Sequence, residues 1–108
     1  MTEIRLSPSA LADLTELKDY IAVESGSESL AKKTVEEILK RIRMLSAFPE
    51  IGTPLASVME FDTPYRFLVC KNYHVFYRMD GDVVQIVRIL HNRRNYMQIL
   101  FGMSSDDE

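Results

Sequence analysis

Apolar and polar residues alternate with period two over Glu3–Leu6, which predicts a short strand at the start of the chain. The pattern then changes to a helical spacing. Ser7 followed by Pro8 reads as a helix start, with Ser7 as the cap and Pro8 in the first turn, where a missing N–H costs nothing. Leu11, Leu14, Leu17 and Ile21 form its apolar stripe, and Gly26 is the expected stop. A second helix starts at Ser27 or Ser29. Its stripe is Ala31, Val35, Ile38, Ile42 and Leu45, opposite a solvated face of Lys32, Lys33, Glu36, Glu37, Lys40 and Arg43. Two amphipathic helices joined by a short turn predict an antiparallel helical hairpin.

Phe48-Pro49 closes the second helix, because the residue before proline is pushed out of the helical region. Residues 48–64 hold Gly52, Pro49, Pro54 and Pro64 and read as a long loop. YRFLVC, YHVFYRM and VVQIVRIL follow, rich in β-branched and aromatic residues, and predict three strands. Lys71-Asn72 and Asp80-Gly81 are expected as two-residue hairpin turns. Taken literally, these turns pair Cys70 with Tyr73, Arg66 with Tyr77, Met79 with Asp82 and Tyr73 with Arg88. One sheet face would then hold Arg66, Leu68, Cys70, Tyr73, Val75, Tyr77, Val84, Ile86 and Arg88. The other would hold Phe67, Val69, His74, Phe76, Arg78, Val83, Gln85, Val87 and Ile89. Both faces are mostly apolar. The helical hairpin can cover one, and the other needs a different cover.

The predicted order is β-α-α-β-β-β with a short helix or strand at 93–102. This is an α+β fold, a helical hairpin packed on a small, mainly antiparallel sheet. Residues 1–103 form a single domain, and 104–108 an acidic disordered tail.

Composition adds charge asymmetry. The net charge is −3, but residues 65–103 carry six Lys/Arg against two Asp, while residues 1–64 carry seven against eleven acidic residues. An anionic partner would meet the C-terminal half. No apolar run approaches the ~18 residues of a membrane span, so no membrane partner is expected. The N-terminus lacks the pattern of a signal peptide. Cys70 is the one cysteine, which excludes a disulfide framework and a Cys-based zinc site and fits a reducing cytoplasm. Within an apolar strand it is expected as a small core residue. His74, between apolar neighbours, is expected to be structural.

The candidate chemistry gathers at RILHNRRNYMQILF, residues 88–101. His91 is, by residue type, a candidate for acid–base chemistry. Arg88, Arg93 and Arg94 surround it, and Arg78 and Arg66 lie on neighbouring strands. Tyr96 is either a stacking platform for a base or a core aromatic. Met97, Ile99, Leu100 and Phe101 are expected as an apolar docking patch. On the register above, Arg66 and Arg88 share a face about 13 Å apart, a gap that two guanidinium groups close only with a bulge or twist.

The element order, with SPSALADL, FPEIGTPL, YRFLVCKNYHVFYRM and VRILHNRRNYMQIL, resembles the RelE/ParE superfamily of toxins from bacterial type II toxin–antitoxin (plasmid stabilisation) modules, over roughly residues 3–101. The resemblance implies a cytoplasmic, growth-inhibiting toxin held inactive by a cognate antitoxin. Its leading implication is a ribosome-dependent mRNA endonuclease, an RNA-binding mRNA interferase that needs no metal or cofactor and has the ribosome and mRNA as partners. By position, Arg66 and Arg88 would stabilise the phosphorane charge, His91 would match a histidine of YoeB-like members and Tyr96 a tyrosine of RelE-like ones. Arg93, Arg94 and Arg78 would bind nucleic acid or partner. The alternatives are a ParE-like, non-catalytic toxin that inhibits DNA gyrase, and an antitoxin-binding module without toxicity. A homodimer through an uncovered sheet face is a further expectation. Residues 48–66 contain no lysine, unlike RelE-like nucleases, and the chain is acidic where those enzymes are basic. Both features point toward ParE-like or unassigned members of the superfamily.

Overall fold

The computed structural model describes residues 2–92 and 95–102. Strand β1 (Glu3–Leu6) leads into helix α1 (Pro8–Ser25) and helix α2 (Glu28–Arg43). A 3-10 turn at Met44–Ser46 follows, then β2 (Thr53–Pro54), a second 3-10 turn (Leu55–Ser57), β3 (Arg66–Cys70), β4 (Tyr73–Asp80), β5 (Val83–His91) and α3 (Tyr96–Phe101). The sheet order is β1-β5-β4-β3-β2. β1 runs parallel to β5, and the other pairs are antiparallel. The expected α+β architecture is present. It gains one edge strand, β2, which at two residues is too short to carry a period in the sequence. Its Pro54 is tolerated because an edge strand leaves one side without ladder partners.

Local signals start and stop the helices. The Ser7 Oγ accepts from the Ala10 N–H at 2.9 Å, and Ser27 caps α2 by accepting from Leu30 N at 3.0 Å. Gly26, at φ +69°, terminates α1 in the left-handed conformation that favours glycine. The buried stripe of α1 is Ala10, Asp13, Leu14 and Leu17. Leu11, predicted inside, is 54% exposed. The helix is rotated so that a carboxylate, not that leucine, faces the sheet.

Both helices cover one sheet face. Leu14, Leu17, Ile38, Ile42 and Leu45 pack there against Leu68, Val75, Tyr77, Val84, Ile86 and Ile89. Cys70 is buried in the same cluster, as expected, and desolvation pushes its thiol pKa up. Part of the second face is covered by the chain itself, while Val69 stays 48% exposed. Tyr96, Ile99, Leu100 and Phe101 of α3, with Met59 and Tyr65 of the long loop, pack on Leu55, Phe76 and Leu90. Phe101 meets Phe61 and Tyr65 edge to face, with ring centroids 5.3 and 5.5 Å apart. Ile99, Leu100 and Phe101 are therefore not the free docking patch expected. A half-buried helix folds them back onto the sheet.

The β3–β4 register is the predicted one, Cys70 with Tyr73 and Arg66 with Tyr77. The β4–β5 register is not. Asp80 pairs with Val83, so the turn residues are Gly81 and Asp82, not Asp80 and Gly81. Gly81 takes φ +62° at the first turn position, where a glycine removes the steric cost. Tyr77 then pairs with Ile86, and Phe76 with Arg88, which leaves Val87 as an extra residue in a β-bulge. Beyond the bulge the faces exchange. Ile89 enters the helix-side core, not the opposite face, and Tyr73 pairs with His91, not Arg88.

Ser7 ties the bulge to the helix. Its N–H donates to Ile86 O at 2.9 Å and its hydroxyl donates to Val87 O at 2.9 Å, while the same oxygen caps α1. Ser7→Ala removes a cap and a cross-link together, and should lower unfolding free energy by about 1–2 kcal/mol in urea titrations with an unchanged slope.

Candidate functional site

Arg88 follows the bulge and reaches across to α1. Its Nε and Nη2 donate to the two oxygens of Asp13, each at 2.8 Å, and the Ile89 N–H donates to the same carboxylate at 2.8 Å. The Asp13 side chain is 6% exposed and that of Arg88 26%. The hydrogen-bonded carboxylate raises the Arg88 pKa above its ordinary value, against the opposing effect of burial. The guanidinium charge is thus neutralised by a fork-on-fork contact, the strongest geometry such a pair has. Sequence reasoning missed Asp13. The available signal was a carboxylate beside Leu14 and Leu17 on the buried side of a helix, a position where charges occur only with a partner.

Arg66 serves a different neighbourhood. Its Nη1 donates to Glu50 O at 3.1 Å and Gly52 O at 2.8 Å. Its cross-strand partner Tyr77, fully buried, donates its hydroxyl to Pro49 O at 2.9 Å and accepts from Gly52 N at 2.9 Å. Burial pushes the Tyr77 pKa up. Together they fasten residues 49–52 of the loop to the sheet. Glu50 itself is exposed.

The bulge brings the backbones of Arg66 and Arg88 to adjacent rows, since Arg66 pairs with Tyr77 and Arg88 with Phe76. Their side chains nonetheless go to separate acceptors, one to loop carbonyls and one to α1. His91 ends β5 and meets Tyr73 edge to face at 5.4 Å. Tyr96 lies on the other side of the sheet, packed on Phe76 at 5.2 Å and His74 at 6.0 Å. Arg78 sits on β4 opposite Gln85. Arg93, Arg94 and the acidic tail at 104–108 lie outside the described residues. The structure does not gather Arg66, Arg88, His91 and Tyr96 around one reacting position.

His74 belongs to an aromatic layer with Phe67, Phe76 and Tyr96. Its buried Nδ1 has no hydrogen-bond partner, and desolvation lowers its pKa. A lowered folded-state pKa means that the unfolded chain takes the proton first. Stability is then full above the ordinary imidazole pKa and falls as pH drops through it toward the folded value. His74→Phe should flatten that decline in denaturation curves between pH 7.5 and 5, and add about 1 kcal/mol near neutrality by removing an unsatisfied polar atom.

Among the described residues no group of three or more His, Cys, Asp or Glu could hold a metal ion, and no helix is long and apolar enough to cross a membrane.

Comparison with known proteins places these features in a family. Residues 4–96 match the family model described as ParE toxin of type II toxin-antitoxin system, parDE. The solved structure titled "Chromosomal ParDE TA system from P. aeruginosa" superposes with a TM-score of 0.71 at 26% identity, covering 84% of this chain and 96% of that one. No curated protein matches the sequence. With the match spanning nearly the whole domain, from β1 to the start of α3, the chain belongs to the ParE family of toxins from type II toxin–antitoxin systems.

Proposed function

We propose that this toxin acts without catalysis, by binding and inhibiting DNA gyrase in the cytoplasm, and that a cognate antitoxin neutralises it by binding. The observation that carries this reading is the commitment of both phosphate-stabilising candidates to the fold. Arg88 is paired with Asp13, and Arg66 holds the carbonyls of residues 50 and 52. Phosphoryl transfer needs cations already aimed at the developing charge. Releasing Arg88 for that task would strand a buried carboxylate, at a cost of several kcal/mol. Membership of the ParE family and the absence of lysine from residues 48–66 support the same choice over the mRNA interferase. The test is a supercoiling assay with purified gyrase and relaxed plasmid. Added toxin should suppress supercoiling in a dose-dependent way, and equimolar antitoxin should restore it. Full gyrase activity at saturating toxin would refute the proposal.

A further inference from the structure

The helical path of α2 continues past Arg43. Met44–Ser46 extends it as a 3-10 turn, and the Phe48 N–H donates to Met44 O at 3.0 Å, which adds a further helical turn. The Ile51 N–H then donates to Phe48 O at 3.2 Å. Met44, Phe48 and Ile51 thus follow one another at helical spacing along one side of the chain. All three are exposed, Phe48 at 58%. We propose that this ridge is a docking surface for an amphipathic segment of a partner protein, one that carries carboxylates beside its apolar side chains.

Rigidity is the first argument. Residues 49–52 are fastened from beneath, because the Tyr77 hydroxyl bonds Pro49 O and Gly52 N while Arg66 bonds Glu50 O and Gly52 O. Ordering a loop costs conformational entropy, and this loop does not recover it by burying Phe48 or Ile51. The clamp instead holds two large apolar side chains in water, beside Met44. Apolar side chains kept together at the surface within a charged rim mark an interaction site. Ordering them in advance lowers the entropy lost on binding.

Charge is the second argument, and it selects the occupant. Lys40 and Arg41 lie one turn before Met44 and Arg43 adjoins it, all with exposed side chains. Residues 38–52 hold these three cations against one carboxylate, Glu50, and none of the four forms an ion pair with a described residue. The charges of the flanking elements cancel. Lys71 pairs with Glu37 at 3.1 Å, and Arg5 with Glu3 at 2.7 Å on β1, which begins beside the 3-10 turn through the Thr2 N–H bond to Ser46 O. The helix dipole adds only about half a negative charge at this end of α2. The ridge is therefore locally positive in a chain whose net charge is −3. A second copy docked about a two-fold axis would set these cations against their own images. An anionic lipid surface would attract the ridge and repel the acidic remainder of the molecule. A carboxylate-bearing protein segment meets neither penalty.

The proposal does not depend on gyrase being the target. Fluorescence anisotropy tests it, with the full chain titrated into a labelled helical peptide of about 14 residues that has leucines along one face and glutamates flanking them. Saturable binding is expected, and it should weaken as salt is raised. A peptide with lysine in place of glutamate should not bind, and neither should a scrambled one whose leucines no longer share a face. Phe48→Ser and Arg43→Glu both fall on exposed side chains, and each should weaken binding about tenfold while the circular dichroism of the folded chain is retained. Absence of saturation, equal binding of the lysine or scrambled peptide, or unchanged affinity in either variant overturns the proposal. Dimerisation that Phe48→Ser abolishes also overturns it, by making a second copy the occupant. Sedimentation with phosphatidylserine vesicles that both variants abolish does the same, by making a membrane the occupant.

Discussion

Gly52→Ala should be among the most damaging single-methyl changes in this protein. Its added Cβ would sit 2.6 Å from Tyr77 Cε1 and 2.9 Å from Cζ, and closer still to the hydroxyl oxygen. Tyr77 cannot move aside, because its ring is fully buried in the core beneath the helices. Residue 52 must retreat instead, and with it go the Gly52 N–H bond to the Tyr77 hydroxyl, that hydroxyl's bond to Pro49 O and the Arg66 bond to Gly52 O. Overpacking costs about 1–3 kcal/mol and each lost hydrogen bond about 1 kcal/mol. A total near 3 kcal/mol is expected, or a fall of roughly 15 °C in Tm for a domain of this size. Tyr77→Phe alone should cost less, about 1–2 kcal/mol, by leaving Gly52 N and Pro49 O without their partner. The double variant should be more stable than the sum of the two losses implies, since removing the hydroxyl removes the closest clash. Strict additivity in thermal and urea unfolding would contradict the close-approach account.

Asp13→Ala should cost about 2–3 kcal/mol. It removes the acceptor of three hydrogen bonds, leaving the Ile89 N–H unsatisfied and the Arg88 charge without its counterion. The estimate sits below the full penalty of a buried pair because Arg88 is 26% exposed and can turn partly to water. Asp13→Leu with Arg88→Leu should recover most of the loss, since apolar residues of similar size replace such pairs at little cost. The wild-type pair should also respond little to added salt, because the carboxylate is almost fully covered. Urea denaturation of the wild type, Asp13→Ala and the double variant, at low and high salt, measures each of these effects.

Much of the architecture is legible in the sequence because it rests on local rules. Ser7-Pro8 and Gly26 set the bounds of α1, and the Ala31-to-Leu45 stripe sets the buried face of α2. Lys71-Asn72 sets the β3–β4 register, although Lys71 itself takes φ +54°. What escaped depends on long-range choices. VVQIVRIL is apolar at so many positions that alternation cannot reveal a bulge at Val87, and that one extra residue moves Ile89 to the helix side. The turn at Gly81-Asp82 follows from which residue tolerates positive φ, not from the dipeptide Asp-Gly itself. The fold of α3 over Phe76 and Leu90 similarly needs the finished sheet.

The candidate site was less legible for the same reason. Arg88 and Asp13 are 75 positions apart, and nothing local links them. The acceptors of Arg66 are backbone carbonyls, which leave no trace in residue identity. A cationic strand end thus reads as phosphate chemistry until the partners of each guanidinium are known.

The central claim is that these two arginines hold the fold together, so that toxicity proceeds without RNA cleavage. Mapping mRNA 5′ ends after induced expression tests it most directly. The account predicts arrested growth with no new ends phased to ribosomal decoding positions. New phased ends that disappear in an Arg66→Ala variant of undiminished stability would contradict it.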